Sequence, residues 1–259
     1  MARAHRYYIP GHIYHITHRC HKREFLLKFS KDRKRWLNLL FEARKRFGLV
    51  VLNYTVTSNH IHLLVFDDAG KDVIPRSMQL IAGRTGQEYN RRKSRNGSFW
   101  EDRYHATAVE KEHHLIQCMI YIDLNMVRAG VVRHPSEWPW AGYKELQHPK
   151  RRYRLIDYER LVGLLNFAGY DDFSKTYRKW IEASLKKRSN RDSRWTQSIA
   201  TGSQVFVEGV KHRLGIIARG RHVVSVAGEN HELKEAPIEY GSYPGQGSGP
   251  NMIRWDVLP

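Results

Sequence analysis

The 259-residue sequence predicts an α+β fold, and three observations carry that prediction. Two β-rich runs, residues 50–57 and 60–66, are separated by Ser58-Asn59, a turn-forming pair, and read as an antiparallel hairpin. The second run alternates: His60 and His62 fall on one face, and Ile61, Leu63 and Val65 on the other, where they anchor the strand to a core. Stretches 31–47, 73–92 and 112–128 instead repeat apolar residues at helical spacing. With further strands at 12–19 and 104–110, the order is strand, helix, paired strands, helix, strand, helix. That order is compatible with a four-stranded antiparallel sheet carrying helices on its faces, a ferredoxin-like arrangement.

Residues 12–19 alternate as a strand does, and 31–47 supply Trp36, Leu37, Leu39, Leu40 and Ala43 among basic residues. The helix of 73–92 runs into Arg91-Arg92-Lys93-Ser94-Arg95-Asn96-Gly97, whose charges and turn residues mark a solvated loop. The helix of 112–128 has an apolar stripe of Leu115, Met119, Ile122 and Met126, flanked by Ile116 and Ile120. A second side carries His114, Gln117, Tyr121, Asn125 and Arg128 in steps of three and four, so Tyr121 and Asn125 are neighbours one turn apart. Beyond Tyr143, the run Pro149-Lys150-Arg151-Arg152-Tyr153-Arg154 marks a boundary. The division predicted is a domain of residues 1–146 and a basic, mainly helical C-terminal extension of 147–259, with helices at 158–167, 173–187 and 204–214. Residues 186–194 read as an exposed basic segment that either grips phosphate or simply links helices. The Gly-, Ser- and Pro-rich stretch 240–250 reads as flexible.

Forty-four Lys and Arg stand against 26 Asp and Glu, a formal net charge of +18 with a pI near 10.0. Such a balance favours a polyanionic partner through counterion release, nucleic acid before acidic membranes. No apolar run is long enough to span a bilayer, and Met1-Ala2-Arg3-Ala4-His5-Arg6 lacks the apolar stretch of a signal peptide; a soluble, cytoplasmic protein is the expectation. Cys20 and Cys118 support neither a disulfide framework nor a cysteine zinc site.

Two imidazoles two residues apart on a strand can hold one divalent metal, although such a pair is more often the polar side of a half-buried strand. A tyrosine beside an asparagine is in most helices an interfacial residue with its hydroxyl in water. Brought to the histidine strand, the same pair does more. The Asn125 oxygen can complete a metal site, and the Tyr121 hydroxyl can attack a phosphodiester that the metal polarises.

Six stretches carry a family resemblance: Pro10-Gly11-His12-Ile13-Tyr14-His15-Ile16-Thr17, Ser58-Asn59-His60-Ile61-His62-Leu63-Leu64-Val65, Tyr89-Asn90-Arg91-Arg92, Phe99-Trp100-Glu101-Asp102-Arg103-Tyr104, Tyr121-Ile122-Asp123-Leu124-Asn125-Met126-Val127-Arg128-Ala129-Gly130 and Trp138-Pro139-Trp140. In order and spacing they resemble the single-tyrosine HUH transposases, and within these the REP-associated tyrosine transposases. The resemblance covers about residues 1–146; the remainder is similar only loosely to the variable extension of some relatives. Met126 stands where relatives usually have proline, so the helix is expected to run a further turn and re-aim the Asn125 amide.

The resemblance implies the HUH endonuclease fold and a metal-dependent single-stranded DNA endonuclease and strand transferase. Tyr121 would be the nucleophile and form a 5′-phosphotyrosine, while His60, His62 and Asn125 would hold Mg or Mn, Mn fitting the mixed donors better. Single-stranded or hairpin DNA is the implied partner, and both a monomer and a homodimer stay open. Candidate phosphate contacts are Arg3, Arg6, Lys22, Arg23, Arg91, Arg92, Lys93, Arg95, Arg103 and Arg128, with Tyr7, Tyr8, Trp100 and Tyr104 as candidate stacking residues, Trp100 being equally readable as core. His114 and Arg128 are candidate helpers in forming the phenolate. Two rival functions remain: a hairpin-binding protein without turnover, and a nuclease that uses water in place of Tyr121.

Overall fold

The computed structural model describes residues 8–68, 72–187, 192–226 and 230–235. The expected ferredoxin-like unit is present. It runs β1 (Ile13–Arg19), α1 (Ser30–Phe47), β2 (Val50–Val56), β3 (His60–Phe66), α2 (Val73–Lys93), β4 (His105–Val109) and α3 (His113–Asp123). These strands lie antiparallel in the order β2-β3-β1-β4. α1 ends at Gly48, whose φ of 76° needs a residue without Cβ, and Arg44, Lys45 and Arg46 occupy its negative terminus. At the hairpin, the Thr57 backbone N–H donates to His60 O, and its hydroxyl accepts from the His60 backbone N–H, fixing where the histidine strand begins.

The sheet does not stop at four strands. After α4 (Asn125–Arg128), α5 (Tyr143–Gln147), α6 (Tyr158–Leu164), α7 (Tyr170–Leu185) and α8 (Arg194–Gln197), strand β5 (Ala200–Gly202) pairs parallel with β4. After α9 (Gln204–Leu214), β6 (Arg221–Ser225) and β7 (His231–Glu235) form an antiparallel hairpin. The full order is β2-β3-β1-β4-β5-β7-β6, so the extension is helical with three strands that its sequence did not reveal. β5 has three residues, β6 has adjacent valines in place of an alternation, and β7, His-Glu-Leu-Lys-Glu, is rich in charge, so none reads as a strand locally. The predicted flexible stretch 240–250, Arg3, Arg6 and Tyr7 lie outside the described residues, as does part of 186–194.

Both faces of the central sheet are covered. On one, Trp100 stacks on His18 at 4.0 Å and its indole donates to Ala82 O of α2, which itself packs on α1. On the other, Thr55 Oγ1 of β2 donates to Ile122 O of α3. The histidine strand is therefore buried from Ile61 onward, not half-exposed as its alternation suggested. The predicted helix of 112–128 is interrupted at Leu124 and resumes for one turn as α4, with Met126 buried.

α3 is held by a buried polar cluster. Asp123 accepts from Asn53 Nδ2 at 3.1 Å and from Tyr177 Oη of α7 at 2.6 Å, and burial pushes its carboxyl pKa up to about 7. Gly142 closes against this cluster, and a Cβ there would stand 2.2 Å from Asn53 Oδ1. Gly142→Ala is expected to destabilise the fold by about 1–3 kcal/mol through overpacking, read as a lower urea midpoint. A midpoint equal to wild type would show that Asn53 yields without cost. No helix among the described residues is long and apolar enough to cross a membrane.

Candidate active site

Strand register assembles the site. Thr17 of β1 pairs with His62 on one side and His105 on the other, and Arg19 pairs with His60. Because directly paired residues share a face, His15, Thr17, Arg19, His60, His62 and His105 all point to the side covered by α3. There the Tyr121 ring stands edge-on to His62 with centroids 5.7 Å apart, and to His15 at 6.2 Å. The His60 and His62 rings are 5.0 Å apart, and Asn125 Nδ2 lies 3.0 Å from His62 Nε2. Tyr121, His60, His62 and Asn125, separated by as many as 65 positions in sequence, thus line one pocket of one chain.

Hydrogen bonding fixes which nitrogen each imidazole presents. The Thr57 hydroxyl donates to His60 O, so His60 Nδ1, 2.7 Å from Asn59 Oδ1 and 3.0 Å from Thr57 Oγ1, is placed as a donor and its lone pair is on Nε2. His62 Nε2 meets the Asn125 amide, which presents nitrogen as placed and oxygen if turned about its own axis. Burial, reinforced by the positive charges of Arg128 and Arg19, holds the His62 pKa well below the ordinary value and so keeps the ring neutral. Two imidazoles and an amide form a donor set suited to a borderline divalent cation. Among the described residues no group of three or more His, Cys, Asp or Glu is arranged to hold a metal, so the amide would be part of any such set.

Tyr121 is only 7% exposed, yet it lines a cavity of about 810 Å³ together with His60, His62, Asn125 and Arg128. The Arg128 guanidinium lies 4.2 Å from the Tyr121 ring centroid and donates from Nη2 to Tyr121 O at 2.7 Å. Burial lowers the Arg128 pKa. Arg19, Arg23 and Arg103 add positive charge to the cavity wall against Glu101 and Asp102. Such a balance suits an entering phosphodiester.

The other candidates scatter. Arg103 lines both this cavity and an adjoining one of about 650 Å³ that also holds Tyr8 and Tyr104, whose hydroxyls are 3.1 Å apart. Arg91, Arg92, Lys93 and Arg95 sit at the end of α2, outside the cavity wall. Arg92 is paired with Asp32, Lys93 lies over Phe29, and Arg95 donates to Ser98 O. Lys22 is exposed on the turn after β1. Trp100 is 9% exposed and stacked on His18, so its faces belong to the core and not to a base. His114 is turned to Asn230 and Glu110 beside another cavity, away from Tyr121, which removes it as a helper in catalysis.

Sequence reasoning missed His15, His105, Trp195 and Gln197. His15 and Thr17 are two apart on a strand, the same signal that singled out His60 and His62, but only the strand order shows that the two signals face each other. Trp195 and Gln197 arrive from α8, beyond a stretch read as linker, and nothing local to them reports their destination.

Residues 9–125 match the family model described as transposase IS200 like, a segment that begins before β1 and ends on Asn125. No curated protein matches the chain. Among solved structures, the chain is similar to a REP-associated tyrosine transposase bound to a REP hairpin, at 18% identity and a TM-score of 0.48, over 61% of this chain and 94% of that one. It is also similar to a transposase candidate from Deinococcus radiodurans R1, at 20% identity and a TM-score of 0.34, over 47% and 95%. The matched segment, which holds Tyr121, His60, His62 and Asn125, is thus similar to the IS200-like transposase family.

Proposed function

We propose that this chain is a metal-dependent single-stranded DNA endonuclease and strand transferase that cleaves and rejoins DNA beside hairpins through a 5′-phosphotyrosine. The observation that carries this reading is the meeting of the Tyr121 ring with His60, His62 and Asn125 in one cationic cavity. The hairpin as ligand rests on the resemblance to the REP-associated branch. His60 Nε2, His62 Nε2 and the Asn125 amide oxygen would hold Mg or Mn, which when bound withdraws charge from the scissile phosphate.

The Tyr121 oxygen forms a bond to phosphorus while the bond from phosphorus to the 3′-oxygen breaks. The phenol loses its proton and the departing 3′-oxygen gains one, so the exchange is balanced without external energy. Arg128, over the ring, stabilises negative charge gathering on the phenol oxygen. Rejoining is the reverse, with another 3′-hydroxyl displacing Tyr121. Arg128→Ala is expected to slow adduct formation by about 100-fold at saturating DNA, as loss of one stabilising charge does elsewhere, with Arg128→Lys in between. Equal rates in wild type and Arg128→Ala would remove this role.

The reading is tested by incubating the protein with a hairpin oligonucleotide carrying a single-stranded flank and Mn, then denaturing it. An oligonucleotide labelled at its 3′ end should leave its label on the protein, and one labelled at its 5′ end should release a fragment ending in a 3′-hydroxyl. Products with free 5′-phosphate and no adduct at any time would mark a water-using nuclease. Tight hairpin binding with neither product would mark a protein that binds without turnover.

A further inference from the structure

We propose that His15 is a positioning residue: it carries a tautomer signal from the main chain of the C-terminal extension to His62, so that His62 presents its Nε2 lone pair to the cavity. This rests on the reading of His62 as a metal ligand, but not on the DNA chemistry.

The argument is one of donors and acceptors. His15 Nδ1 lies 2.8 Å from Trp195 O on α8, and a carbonyl can only accept, so Nδ1 carries a proton. His15 is fully buried between strands, and its two ring nitrogens meet a carbonyl and an imidazole, neither of them an anion, so an imidazolium there would be a buried charge without a counter-ion. Its ring is therefore neutral and Nε2 is an acceptor. Its partner, 2.9 Å away, is His62 Nδ1, which must then be the donor. The two ring planes lie within 9° of each other with centroids 5.0 Å apart, a geometry in keeping with an in-plane N–H···N bond. With its proton committed to Nδ1, neutral His62 bears its lone pair on Nε2, the nitrogen that meets Asn125.

A metal-bound histidine commonly has its other nitrogen held by a carboxylate or a carbonyl. Here the carbonyl belongs to a residue 133 positions further along the chain and acts through an intervening imidazole. The same Trp195 places its ring 6.1 Å from that of Tyr121, so α8 supports both the nucleophile and the ligand opposite it.

The full-length chain, labelled with 15N-histidine and freed of metal, tests the proposal directly. Long-range proton–nitrogen correlation spectra are expected to show His62 protonated at Nδ1, its signals identified by their loss in His62→Gln. In His15→Phe the proton should move at least in part to Nε2, and Mn affinity, followed by electron paramagnetic resonance, should fall by about 10–100-fold. His15→Gln can accept from His62 through its oxygen and donate to Trp195 O through its nitrogen. It should restore the Nδ1-protonated form and bring Mn affinity back to within about threefold of wild type. Wild-type His62 protonated at Nε2 would overturn the proposal, whether or not the variants fold. So would His15→Phe that leaves both tautomer and Mn affinity unchanged. Because the tautomer is read without metal or DNA, a correct tautomer in a protein that forms no adduct would count against the proposed function alone.

Discussion

Tyr121→Phe is expected to abolish covalent adduct and strand cleavage, by about four orders of magnitude or more, as deletion of a nucleophile does in other enzymes. Hairpin affinity should stay at its wild-type value. The phenylalanine ring keeps the edge contact with His62 and the packing beneath Arg128, so the substitution removes the hydroxyl and leaves the ring packing in place. Single-turnover cleavage on a denaturing gel, alongside an equilibrium binding isotherm, measures the two effects separately. Persisting cleavage with normal binding would assign the chemistry to water. A parallel loss of binding would place Tyr121 in recognition instead.

The second large effect concerns His62. His62→Ala removes a proposed ligand and also takes away the ring hydrogen-bonded to His15 Nε2 in a fully buried place. Leaving a buried polar group without a partner costs about 1–3 kcal/mol, so this variant should lose both Mn binding and thermal stability. His60 stands at the half-exposed start of β3, and its Nδ1 faces Asn59 and Thr57 at the edge of the cavity. His60→Ala should therefore lose Mn binding and cleavage with a much smaller drop in Tm. For both, the fall in Mn affinity should exceed the about 10–100-fold that goes with losing an outer partner. Titration calorimetry and thermal unfolding in metal-free buffer give the two readouts. Unchanged Mn affinity in both variants would move the metal elsewhere.

The parts of this fold legible in the sequence are those encoded locally. The hairpin shows because Ser58-Asn59 sits between two β-rich runs, and α1 because Trp36, Leu39, Leu40 and Ala43 repeat at helical spacing. Tyr121 and Asn125 were recognisable as one-turn neighbours, although the chain is interrupted between them at Leu124. Burial was misjudged because alternation reports which face a residue takes, not what later covers that face. His62 looked available on a polar side, yet α3 and α8 close over it. β5 escaped notice for a related reason. Its three residues gain strand geometry from β4, a partner some 90 residues earlier, and a propensity reading has no access to that partner.

The sheet margins have a consequence for how the molecule avoids its own kind. β4, an outer strand of the ferredoxin-like unit, has its rim occupied by β5, and β2 is bridged along its rim by Ala141 and Ile156. Among the described residues both rims therefore carry backbone partners. At the last strand in the order, β6, Arg221 is ion-paired with Glu235 of β7, and charged and polar side chains on an outer strand oppose the stacking of one copy against another. The described strands are thus blunted at the places where β-structure aggregates.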